Sequence, residues 1–196
     1  MPQQSWSRGS TLWALGILIA LLAAGRLLEL WISARHTRAL KPLGAVEHGR
    51  SHFPIFVALH VAFPLALSAE VVYGGARPGV LAPVWFGLFV AAQLLRYSAI
   101  RALGEYWNVR VWVVPGMHPV RSGPYRFLRH PMYLSYVLAD IGYNLQEWNF
   151  VTLLLVLIGW ASLVYRIHAE ERVLSQHAEW PVYVALTRYR LVPGIW

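Results

Sequence analysis

Three apolar runs, residues 11–32, 54–73 and 80–100, are each about as long as the ~20-residue helix that crosses a bilayer, and this constrains the fold class more than any other feature. Two shorter runs follow, 131–145 and 150–165, parted by the turn Gln146-Glu147-Trp148-Asn149. They read as a helical hairpin whose first arm, carrying Asp140, is tilted or starts below the headgroups. With 57% hydrophobic and 13% charged residues over 196 positions, the chain reads as one all-α, polytopic membrane domain of about five transmembrane helices. Residues 1–100 form its N-terminal membrane helices and 101–196 a C-terminal half built on the hairpin. The first run lacks a small-residue cleavage site and does not read as a removable signal peptide. The absence of Cys excludes a disulfide framework, a thiolate metal site and a thiol nucleophile.

The net charge of +8 comes almost wholly from arginine, Lys41 being the single lysine. Beside apolar spans that excess sets topology and meets anionic lipid rather than nucleic acid. Connections 35–52 and 101–129 and the tail 166–196 hold most of the arginines, whereas turns 74–79 and 146–149 hold only Arg77. Five segments with an outside N-terminus and a cytoplasmic C-terminus satisfy that bias. The stretch VRSGPYRFLRHPMY, residues 120–133, and the stretch RIHAEER, residues 166–172, then lie on one side of the membrane and flank one hairpin.

Several polar residues interrupt the apolar pattern. Arg26 and Glu29 lie three apart on one helix face and read as an ion pair at the membrane edge. His48 and His52 have the i, i+4 spacing of metal ligands, but Gly49 separates them and no third ligand is evident, so no metal site is expected. His60 reads as a hydrogen-bonded packing residue, and Pro64 should kink the second span. The aromatic and β-branched run 106–114 fits either a pocket cover or an interfacial segment. In the tail, Val173, Trp180, Tyr183 and Leu186 alternate loosely with Arg172, Gln176, Glu179 and Arg188, an amphipathic pattern broken at Pro181.

The stretch 120–133 is basic and aromatic. Ser122-Gly123-Pro124 is turn chemistry, and Pro131 is suited to the first position of a helix, whose positive dipole end welcomes an anion or an acceptor edge. Arg126 and Arg129 fit that reading and equally fit anchoring at the headgroups. Arg166 and Glu170, four apart on a helix continuing from the last span, can face one pocket or form a surface ion pair. Imidazole, guanidinium, phenol and the carboxylates Glu170 and Glu171 would then meet where a cytosolic cofactor can reach a membrane-dissolved substrate.

Together HPVRSGPYRFLRHPMY, RIHAEER and the closing YVALTRYRLVPGIW resemble the isoprenylcysteine carboxyl methyltransferase family over about the last 80 residues. The resemblance implies that S-adenosyl-L-methionine is held by His118, Pro119, Val120, Tyr125, His130, Pro131, Met132, Tyr133 and Glu170, and that Arg166 faces the substrate. Arg166 and His130 are the residues it implies at the reacting centre. Two positions depart from the pattern: Arg121 stands where a small or hydroxyl residue is usual, and Ser135 where Gly is common. RLLEL and GAVEHGRSHFP, in the first hundred residues, look more like bacterial members that accompany synthases of long-chain pyrones and resorcinols. The expectation is O-methylation of a lipophilic small molecule in the bacterial inner membrane, with a prenylcysteine-type carboxylate as the alternative acceptor. A phenol or enol acceptor would need a group to share its proton, with His130, His168 and Glu171 as candidates. Two rival classes are a nicotinamide-dependent sterol reductase, whose RHPNYxGD differs from the RHPMYLSY found here, and a membrane binding protein without catalysis.

Overall fold

The computed structural model describes residues 7–48, 53–75, 79–144 and 150–196. Six helices dominate: α1 (Arg8–Leu40), α2 (Phe53–Val72), α3 (Ala82–Leu103), α4 (Pro131–Asn144), α5 (Phe150–Leu174) and α6 (Trp180–Leu186). A two-stranded antiparallel ribbon pairs β1 (Val46–His48) with β2 (Val111–Val113). Among the described residues α1, α2, α3 and α5 are long and apolar enough to cross a membrane. The fifth expected segment, α4, has only 14 residues. At 1.5 Å per residue these described residues span about 21 Å.

Helix boundaries depart from the apolar runs where polar contacts extend them. α1 continues eight residues past Ile32 because its polar end is held by the segment after α3. Asn108 Nδ2 donates to Ser33 O (3.2 Å) and Thr37 Oγ1 (2.7 Å), and Ser33 Oγ donates to Asn108 Oδ1 (2.7 Å). His36 Nδ1 donates to Trp107 O at 2.7 Å. α5 likewise runs on through RIHAEER without a break, as the sequence suggests. Pro64 lies inside α2, where the Ser68 hydroxyl donates to its carbonyl (2.6 Å). At the opposite end of the bundle, Glu70 of α2 accepts from Thr152 N (3.3 Å) and Thr152 Oγ1 (2.9 Å). A carboxylate there satisfies one first-turn N–H group of α5 and complements its dipole.

α4 lies along α3, the most extensive helix contact in the fold. Small residues permit it: Ala92 and Ala99 are fully buried, and a Cβ at Gly142 would come within 2.9 Å of Trp85 O. Gly123 serves the same helix pair from the loop. It has φ +55°, and a Cβ there would meet Ala102 at 3.2 Å, so the 3-10 turn Gly123–Arg126 is pressed against α3.

Candidate functional site

Pro131 begins α4, as its missing N–H and fixed φ favour. The two residues before it are held by the tail: Arg129 N donates to Tyr189 O (2.9 Å) and His130 N to Arg190 O (3.0 Å). One carboxylate reinforces this pairing. Glu171 Oε1 meets Arg129 Nη1 at 2.8 Å and His130 Nε2 at 3.2 Å, while Oε2 accepts from Arg190 Nε (2.9 Å) and meets Nη2 (2.8 Å). All of these groups except Arg190 are buried. Glu171, a candidate proton acceptor by sequence, is thus a clamp between the 128–130 segment and the tail.

Glu170, one residue earlier, points elsewhere. Tyr133 OH donates to its Oε2 at 2.5 Å, and Arg166 Nε donates to the same phenol oxygen at 2.9 Å. Arg166 Nη2 donates to Val109 O (2.8 Å), and its guanidinium lies 5.1 Å from the centre of the Phe56 ring. His130 stacks on Tyr133 with ring centres 5.4 Å apart. These residues line a continuous cavity of about 790 Å³, within the range of small-molecule sites.

At the loop end the cavity is walled by Pro119, Val120, Tyr125, His130, Met132, Trp180 and Tyr183. At the membrane end it is walled by Leu22, Phe63, Phe89, Val156 and Leu163 from four different helices. Burial pushes the Tyr125 phenol well above its ordinary range, and the neighbouring Glu170 charge adds to this; burial also raises Tyr183. Both therefore stay neutral hydroxyl groups near pH 7.

The structure brings most of the sequence-derived residues together. Pro119, Val120, Tyr125, His130, Met132, Tyr133, Arg166 and Glu170 all line the cavity. Pro131 is fully buried beneath it. His118 sits on the rim, 78% exposed, with Nδ1 2.7 Å from Glu179 Oε1. His168 is exposed, bonded to Val164 O (2.8 Å) and in ring contact with Trp196. The run 106–114, left open by the sequence, covers the pocket: Trp107 is buried and donates to Met132 Sδ (3.0 Å). Of the His48 and His52 pair, His52 lies outside the described residues; Glu47 pairs with Arg110 (2.9 Å). Ser135 fits its position because its hydroxyl donates back to Met132 O (2.6 Å).

Sequence reasoning missed the polar group on the membrane side. Glu29, 2% exposed, meets Arg26 as expected (3.2 Å), but also Arg96 of α3, whose Nη2 donates to Oε2 at 2.6 Å. Arg96 Nε lies 2.6 Å from Oε1, so the guanidinium meets both carboxylate oxygens. The same guanidinium donates to Tyr136 OH (3.1 Å) and lies over that ring at 4.4 Å. A carboxylate and an arginine 67 residues apart give no local signal of their pairing.

Comparison with known proteins fits this architecture. The model of the isoprenylcysteine carboxyl methyltransferase (ICMT) family matches residues 85–176, from the start of α3 to just past α5. The chain is 34% identical over 166 residues to the uncharacterized protein YpbQ of Bacillus subtilis, covering 83% of this chain and 97% of that one. It is 27% identical over 163 residues to an uncharacterized protein of Haemophilus influenzae, covering 82% and 95% respectively.

Proposed function

The chain belongs to the isoprenylcysteine carboxyl methyltransferase family, and from that premise we propose that it transfers a methyl group from S-adenosyl-L-methionine to an oxygen of a lipophilic small molecule. The observation that carries the reading is the Glu170–Tyr133–Arg166 chain of hydrogen bonds, set where the loop end of one cavity passes into its membrane end. A water-soluble donor and a bilayer-dissolved acceptor can meet there without either crossing the other's solvent.

The residues suit the proposed cofactor. Tyr125, Trp180 and Tyr183 offer aromatic faces and neutral hydroxyls for a purine, and Glu170 offers an anion for a cationic group. The dipole end of α4, with Arg129 near it, favours a carboxylate. When bound, S-adenosyl-L-methionine supplies an electrophilic methyl group on a sulfonium. Glu170 would offset positive charge beside that group, Tyr133 holds the Glu170 carboxylate in place, and Arg166 would orient the acceptor oxygen. The run 106–114 covers the cavity through the buried Trp107 and Val113 and excludes water there, so positioning in a water-poor cavity supplies most of the rate enhancement.

The preferred acceptor is a long-chain or isoprenoid small molecule, and the second reading is a prenylcysteine-type carboxylate, which the guanidinium of Arg166 favours. We place the loop 101–129 and the tail in the cytoplasm of a bacterial cell, with the protein in the inner membrane and its lipids as partners.

Purified protein titrated with adenosylhomocysteine and with NADPH tests the cofactor; saturable binding of the nicotinamide alone would overturn the proposal. Transfer from labelled S-adenosyl-L-methionine into a long-chain alkylresorcinol and a farnesylcysteine analogue, from pH ~5 to ~9, tests the acceptor. A phenol titrates near pH ~10, so its rate should climb with pH, whereas a carboxylate should give a flat profile. Turnover of farnesylcysteine alone would reject the preferred acceptor and leave methyl transfer standing.

A further inference from the structure

The group around Glu29 has no part in the scheme above, although it lines the same cavity. Arg26 and Arg96 converge on one carboxylate, so the groups in direct contact carry one positive charge in excess, and the next acidic group, Asp140, lies near enough to Arg96 to offset part of it. Glu29 is the one acceptor that Arg26 meets among the described residues, at the longer distance of 3.2 Å, and the Arg26 side chain remains 21% exposed. An ionisable group among membrane helices is costly, and two cations on one anion are costlier than a neutral pair. Asp140 also lines this part of the cavity, its carboxylate accepting from Trp160 Nε1 (3.0 Å).

The group is also placed to act with the methyl-transfer site. Tyr136, bonded to Arg96, stacks on Tyr133, bonded to Arg166 and Glu170, with ring centres 6.4 Å apart. The two tyrosines are three residues apart on α4, about 4.5 Å along its axis. A molecule with one oxygen beside Arg166 can therefore present a second polar group to Arg26 and Arg96. Leu22, Phe63 and Phe89 line the same cavity alongside His60 and Gln93, so a largely apolar molecule carrying a few polar groups fits it.

We propose that Arg26 and Arg96 form an anion-recognising station and that the acceptor binds as an acidic amphiphile, already deprotonated, with a second oxygen held there; of the acceptors considered above this selects a carboxylate or an acidic enol over a phenol. Glu29 keeps the two guanidiniums apart and oriented. The acceptor oxygen near Arg166 then forms the new O–C bond as the C–S bond of the donor breaks; the electron pair stays on sulfur and no proton has to leave. That fits a site in which Glu171 is committed to the tail, His168 faces outward, and His130, which lines the cavity, has its Nε2 against Glu171. The inference rests on the proposed methyl transfer for its role in turnover, but the station can be tested by binding alone.

The probes are radiolabelled hexadecane sulfonate and hexadecanol, with the protein in nanodiscs of zwitterionic lipid. The wild type should bind the sulfonate at least about tenfold more tightly than the alcohol, the scale of one charged hydrogen bond. Arg26→Gln should remove most of that preference and Arg26→Lys should retain part of it, each with adenosylhomocysteine affinity unchanged as a check on folding. Equal binding of the two probes by the wild type, or a preference that survives Arg26→Gln, would overturn the station. Repeating the measurement with added phosphatidylglycerol separates the sources of anion: loss of sulfonate binding would assign the station to lipid and overturn its role in acceptor recognition. If no acceptor is ever methylated yet sulfonate binding depends on Arg26, the methyltransferase reading falls and the station stands. If turnover occurs, Arg26→Gln should raise the acceptor KM about tenfold with little change in the cofactor KM.

Discussion

The two carboxylates of the Glu170-Glu171 pair open onto different regions of the molecule. Glu171 faces the tail, where Arg129, His130 and Arg190 close around it; Glu170 faces the cavity, where a phenol donates to it. Successive residues on a helix point about 100° apart, so one α5 turn serves as scaffold on one side and as site on the other. The contrast shows that an ion pair is not itself a mark of function: the group surrounded by the most charge is the structural one.

Removing the clamp should have the largest effect. Glu171→Ala leaves Arg129, His130 and Arg190 without their shared anion, and loss of a buried partner of this kind costs about 3–5 kcal/mol. Thermal unfolding in detergent should shift down strongly, with faster proteolysis of the tail beyond Leu186. An unchanged melting temperature would break the comparison, because Glu171 would then not be scaffold.

Glu170→Gln should leave the melting temperature near the wild type and act on the donor. It removes one charge while keeping shape, so S-adenosyl-L-methionine should weaken by about 1–3 kcal/mol and adenosylhomocysteine by less, since only the former carries the sulfonium. Equal weakening of both, measured by calorimetry, would assign Glu170 to the amine or ribose instead.

His118→Ala should do least. The His118 and Glu179 side chains are 78% and 55% exposed, and surface pairs of this kind contribute between ~0 and ~1 kcal/mol. Adenosylhomocysteine affinity should stay within about twofold. A large loss would move His118 from the rim into the cofactor set that the family resemblance implies.

What the sequence revealed was mostly local. Gly123-Pro124 and Pro131 announce a turn and a helix start through backbone chemistry that needs no partner, and α5 continues through RIHAEER because nothing interrupts its pattern. The apolar runs located the membrane helices but ended α1 too early. Its last turns are held by Asn108 and Trp107, from a segment some seventy residues away. The pairing of Glu29 with Arg96 was hidden for the same reason. The division of work between Glu170 and Glu171 depends on how α5 is rotated against α4 and the tail, which adjacency in sequence does not encode.

The pairing of Arg129 and His130 with the backbone of Tyr189 and Arg190 has a consequence for biosynthesis. The membrane helices up to α4 can leave the ribosome and insert while the segment that positions Pro131 still lacks its partner strand. The proposed donor site is completed only when residues 189–190 emerge, so a nascent or truncated chain would sit in the bilayer with its cavity present and the segment before Pro131 unpaired.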